Sequence, residues 1–301
     1  MPTPFASQSH RHVKKEKGMG VVPYLFVAPY VILLVIYGIV PVVYAFLLSL
    51  SHPDGSFAFL DNFIQVVNDY RFLTSMKNVG IYVVIWLSSL LILVVLLALL
   101  THQAFQHFSK IARFVYYIPG ALAGAASTLV WMFMLDPSVS PVSSFLNSIG
   151  IESFAQSVGP DKLPWIFAVI AFWSGAGGWI IIMYGALNGI PHEVIEAARV
   201  DGAGMFTTAT RIQVPMILKW IAYMLIMSFA TGTQLFVEPQ LLASATFGGV
   251  SESWSPNQLS LVYAFHYADF NSAAALNMIL LIISLIVAII VIRKIKLFEV
   301  E

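Results

Sequence analysis

Six uninterrupted apolar runs constrain this chain more than any other feature. They lie at about 21–50, 79–100, 111–135, 164–187, 216–237 and 273–292. A helix needs about 20 apolar residues to cross a hydrocarbon core, so each run is long enough to span a bilayer. The runs are continuous rather than alternating, which selects helices over a barrel. Of the 301 residues, 59% are hydrophobic and 10% charged, a balance that excludes an ordinary soluble domain. The expected fold class is an all-α membrane protein with six transmembrane helices. Residues 1–20 form a polar, basic tail, and 21–301 form the six-helix domain. The first apolar run is too long for a cleaved secretory signal and reads as a retained span.

The basic residues orient the chain. With the N-terminus inside, the inner segments hold twelve: Arg11, Lys14, Lys15, Lys17, Lys110, Arg113, Arg199, Arg211, Lys219, Arg293, Lys294 and Lys296. The outer segments hold three: Arg71, Lys77 and Lys162. This bias places both termini and the 188–215 loop in the cytoplasm.

That loop is the longest polar interruption in the second half of the chain. Pro191 sits where a helix begins and Gly202 where one stops. Val194, Ala197 and Ala198 share one side of the helix between them, and Glu193, Glu196 and Arg199 another. An interfacial helix resting on lipid would carry large apolar anchors. Here the apolar side is alanine and valine, and a small charged knob suits docking into a protein groove.

The loop also carries a resemblance. Glu196-Ala197-Ala198, three residues, Gly202, nine residues, then Ile212-Gln213-Val214-Pro215 resembles the EAA loop of binding-protein-dependent ABC importer permeases. That family's pattern is EAA, three residues, G, nine residues, I-x-L-P, and Val214 is the single departure. Ile190-Pro191 and Asp201-Gly202-Ala203 resemble its carbohydrate, maltose-type branch. The resemblance implies a type I importer permease fold with Glu193, Glu196, Ala197, Ala198, Arg199, Asp201 and Gly202 coupling to an ATPase. It implies a second permease subunit (usually a different one), two ATPase subunits and an external solute-binding protein. ATP and Mg would belong to the ATPases, leaving this chain without a cofactor, in a prokaryotic cell membrane.

The spans hold a few polar departures. Pro41 bends the first span. Pro119-Gly120 and the small residues after it read as tight packing in the third. The fourth holds Gly175, Gly177 and Gly178, which weaken a helix by about 1 kcal/mol each relative to alanine and so call for close packing, a bend or a ligand. In the fifth, Thr231, Gln234 and Glu238 fall on one helical side and Ser228, Gly232 and Leu235 on the next. Polar groups at that depth face the bundle or a wet cavity. The last span reads as uninterrupted. The resemblance puts substrate contacts near Gly175, Gly178, Ser228, Gly232 and Leu235. The asparagines expected near 232 and 235 are Gly and Leu here, and Gly178 stands where a tyrosine would. A maltose-like pocket is therefore not expected. The candidate pathway is Gly175, Gly178, Ser228, Thr231, Gly232, Gln234 and Glu238.

The sequence contains no G-x-x-x-x-G-K-[ST] phosphate loop, no H-E-x-x-H and no G-x-S-x-G. It has no cysteine, and its seven histidines are scattered, so no metal cluster is expected. The second reading is an ion-coupled secondary transporter or channel. Such carriers place carboxylates or basic residues at mid-membrane, and these spans hold almost none.

Overall fold

The computed structural model describes residues 21–122 and 124–295. The basic tail 1–20, Ala123 and Lys296 lie outside the described residues. The chain divides into two compact units, Met1–Leu47 and Leu48–Glu301.

The first unit is the first apolar helix. It widens into a π-turn at Val35–Ile39, just ahead of Pro41. Proline lacks an N–H and its ring clashes with the carbonyl four residues back, and a wider turn absorbs both.

In the second unit the described residues are helical apart from turns and one isolated bridge, Ser51 with Phe57. Among the described residues, five helices are long and apolar enough to cross a membrane, and a sixth span arises if a broken pair is joined. They run Pro23–Ser49, Tyr70–Gln103, Leu163–Asn188, Leu218–Ala245 and Phe270–Lys294, with His107–Ala121 plus Gly124–Leu135 as the broken third. The third span is thus interrupted as well as tightly packed. Ile118–Ala121 tightens to a 3-10 turn around Pro119, and Leu122 is extended at φ −78°, ψ 131°. Proline's missing donor makes the break, and Gly120 lets the chain approach the fourth span: a Cβ there would lie 2.9 Å from the Ser174 carbonyl oxygen.

The second span starts at Tyr70, earlier than its hydropathy suggests, because Asp69 caps it by accepting from the Arg71 amide. The fifth departs further from a single helix. Its regular part ends at Gly232, and a new helix begins at Val237. Between them Gln234 and Leu235 donate to carbonyls three residues back. Thr231, Gln234 and Glu238 therefore do not share one helical side.

One core joins the second, fourth and fifth spans through Leu90, Phe167, Ile180, Met183 and Met224, all buried. A smaller cluster, including Val66, Leu259, Tyr263 and Leu276, ties the short helix Asp61–Asn68 to the last span. Polar staples reinforce the end opposite the 188–215 loop. The Asn62 side chain donates to the Ser49 and Ser51 carbonyls, and Asn271 donates to Leu48 and Ser51. Nearby, the Asp69 carboxylate accepts from Arg71 at 2.6 Å and from the Tyr263 hydroxyl at 2.7 Å. The Arg71 hydrogen bond holds the Asp69 carboxyl down to about 2 against the opposing effect of burial. Being lowered, this carboxylate contributes stability above its ordinary titration range and loses it only as the pH falls toward about 2.

Candidate functional site

The 188–215 loop folds as a helix, His192–Val200, with Pro191 in extended conformation as its N-cap. At the other end Gly202 takes φ +80°. Its N–H donates to the Arg199 carbonyl, and the Ala203 N–H reaches back to Ala198. These two bonds are a Schellman stop, in which the residue after the C-cap takes the left-handed conformation glycine favours. Val194, Ile195 and Ala198 pack inward against the core. Glu193, Glu196, Ala197, Arg199 and Asp201 are exposed. Ala197, expected on the apolar side, therefore lies with the charged residues, and Ile195 takes the inward place instead. The helix rotates because Ile195 offers far more apolar area to bury than an alanine. Exposed apolar residues accompany it: Val200 at 87%, Phe206 at 81% and Met205 at 64%. In the tail of the loop Ile212 is half-buried, Gln213 buried, and Pro215 exposed.

The candidate pathway residues separate. Ser228 is 1% exposed, and Gly232 packs so closely on the second span that a Cβ would lie 2.7 Å from the Trp86 ring. Thr231 donates back to Met227 and Ser228 carbonyls of its own helix. Gly175 and Gly178 are half-buried beside open space, with nothing within 4 Å of an added Cβ. Glu238 is half-buried in the first turn of Val237–Ala245, where the helix dipole favours a carboxylate.

Gln234 lines a cavity of about 610 Å³ between the fifth and last spans. Its other polar walls are Thr233, Asn257, Asn277 and Ser284. Thr233 and Ser284 hydroxyls meet at 3.3 Å, and Asn257 donates to the Thr233 carbonyl at 3.3 Å. Asn277 and Ser284 lie within a last span whose hydropathy reads as uninterrupted, so the sequence alone does not single them out. The available signal was an amide and a hydroxyl seven residues apart, hence on one side of a helix within an apolar run. In this cysteine-free chain, Gln234→Cys and Asn277→Cys are expected to react with a small polar maleimide, and Ser228→Cys to stay unreactive. Equal labelling of all three in folded protein would refute this division.

No family model matches the chain. The sn-glycerol-3-phosphate transport system permease protein UgpA of Shigella flexneri is 27% identical over 286 residues, covering 91% of this chain and 94% of the relative. UgpA of Salmonella typhimurium is 25% identical over the same coverage. A bacterial ABC transporter involved in the import of the acidic polysaccharide alginate has the same fold. Its matching chain gives a TM-score of 0.74 at 19% identity, covering 93% of this chain and 96% of that one. A bacterial alginate ABC transporter in complex with an alginate pentasaccharide-bound periplasmic protein gives 0.73 at 19% identity, covering 90% and 92%. Over about nine-tenths of its length the chain is thus similar to permease subunits of binding-protein-dependent ABC importers that carry sugars and related solutes. The permease is a multi-pass membrane protein and a transport subunit rather than an enzyme. The ion-coupled alternative falls away. The helix His192–Val200 carries the Glu196-Ala197-Ala198 stretch that resembles an EAA motif, and Glu193, Glu196 and Arg199 are exposed on it.

Proposed function

We propose that this permease is the membrane half of a prokaryotic inner-membrane importer that takes up a carbohydrate or related small solute delivered by an external binding protein. Both termini and the 188–215 loop lie on the cytoplasmic side. A second permease subunit, usually a different chain, completes the pathway, and two ATPase subunits bind ATP and Mg beneath it. The observation that carries this reading is the coupling helix itself: short, sharply stopped, anchored inward by Val194, Ile195 and Ala198, and charged outward. Such an element passes a push from a partner directly into the core of the fourth and fifth spans, which alternating access requires. The polar cavity at Gln234, Asn257 and Asn277 supports a hydroxyl-rich solute, since amides pair well with hydroxyl groups.

Glu196→Lys tests the docking. Breaking a desolvated charge contact costs about 2–5 kcal/mol of binding, so the variant is expected to insert normally yet lose the ATPase on co-purification. Undiminished ATPase recovery together with full transport in vesicles would leave the loop an ordinary interfacial helix.

A further inference from the structure

A second cavity, of about 600 Å³, lies behind the coupling helix, between it and the ends of the second and fourth spans. Its polar walls include His102, Gln103, His192, Arg199, Thr208 and Gln213, and no carboxylate is among its lining residues. The neighbouring acids Glu193, Glu196 and Asp201 are exposed and stand outside it. A concave space of this size, lined by one guanidinium, two imidazoles and neutral hydrogen-bonding groups, lacks a negative charge of its own.

Two further features point to an anion. Gln213 is 4% exposed, and its Oε1 has no hydrogen-bond partner. A buried amide oxygen left unpaired is costly, and a half-turn of the end group puts the N–H donors in that unpaired position instead. The helix that starts at His192, at the cavity wall, has no side-chain cap; the Val194 amide donates to the Pro191 carbonyl, which leaves the His192 and Glu193 amides and the positive end of the dipole for a ligand.

We propose that this cavity is an oxyanion site, taking phosphate or a phosphate ester. Arg199 supplies a planar fork that suits a tetrahedral oxyanion, His102 and His192 close the other sides, and Gln213 donates from beneath. A bound anion would tie the coupling helix to the end of the second span and so stiffen the element that transmits motion. The site lies wholly on this chain and does not depend on the proposed partners. The phosphate has two possible sources, a soluble phosphate compound or the phosphodiester headgroup of an anionic lipid.

The test uses the full chain in nanodiscs with one cysteine, Ala203→Cys, on the cavity wall. Maleimide modification is timed in neutral phosphatidylcholine discs with inorganic phosphate, or with chloride at matched ionic strength. It is also timed in phosphatidylglycerol discs without phosphate. Phosphate is expected to slow labelling about tenfold at occupancy well above its Kd, and adding His102→Gln, or separately Gln213→Leu, to remove that protection. The Gln213 variant serves if the His102 variant misfolds, since labelling in chloride reports folding of each. Slow labelling in phosphatidylglycerol discs alone, relieved by the same variants, assigns the site to the lipid headgroup. Labelling unaffected by either anion source, or protection that survives both variants, overturns the proposal.

Discussion

Gly202→Val is expected to yield a permease that inserts and folds but no longer holds an ATPase or couples its turnover to transport. The reason is confined to the backbone. Gly202 sits at φ +80°, and nothing lies within 4 Å of the position its Cβ would take. Space is not the obstacle; the left-handed conformation is. For a side-chain-bearing residue it costs about 1–2 kcal/mol, and a β-branched one fares worst. To escape, the chain must surrender the bonds from Gly202 to Arg199 and from Ala203 to Ala198, and the coupling helix loses its stop. That energy corresponds to about a 5- to 30-fold loss of the docking-competent loop. Gly202→Asn separates conformation from bulk, because asparagine enters the left-handed region more readily. It is expected to retain most ATPase association where valine does not. The measurement is ATPase co-purification together with uptake in vesicles, at matched membrane levels. Valine and asparagine variants that behave alike and like the parent would show that the Schellman stop is unnecessary for docking.

The positions of the spans were legible because hydrocarbon thickness and helical rise leave little freedom once a run of about 20 apolar residues is seen. The coupling helix was legible because Pro191 and Gly202 act locally, through backbone chemistry that needs no neighbours. What escaped the sequence depended on packing. Whether Ala197 or Ile195 turns inward is decided by the core beneath, to which both residues are tethered equally. The break after Gly232 is set by tertiary contacts: Gly232 is pressed onto Trp86, and the following residues close short turns rather than helix. Periodicity could not register it, because a helical side drawn through Thr231, Gln234 and Glu238 assumes the helix continues. Asn277 and Ser284 were passed over for the opposite reason. Two polar residues in an apolar run barely alter hydropathy, yet a bilayer makes each one conspicuous by offering it no partner.

The three glycines of the fourth span are expected to divide sharply, and Gly177→Ala to be the most damaging single methyl in the permease. The sequence treats Gly175, Gly177 and Gly178 as one weak stretch of helix. The structure gives only Gly177 a crossing. A Cβ there would overlap the Tyr116 carbonyl oxygen and lie 2.6 Å from the Tyr116 carbonyl carbon and 3.0 Å from the Tyr117 Cα. All three contacts are backbone, so no rotamer change relieves them. Gly120, at the break of the third span, approaches the Ser174 carbonyl in the same crossing. Overpacking a core with flexible side chains costs about 1–3 kcal/mol, and a clash between two backbones lies at the upper end or beyond. Gly175→Ala and Gly178→Ala meet open space, and each is expected to gain part of the roughly 1 kcal/mol by which alanine exceeds glycine as a helix former. Thermal unfolding of the purified permease in one detergent, followed by monodisperse recovery after heating, reads all three. Gly177→Ala should fall well below the parent, with the other two at or above it. A Gly177→Ala protein as stable as the parent would mean that the third and fourth spans do not cross at Tyr116, and the packing that positions the coupling helix would have to be redrawn from there.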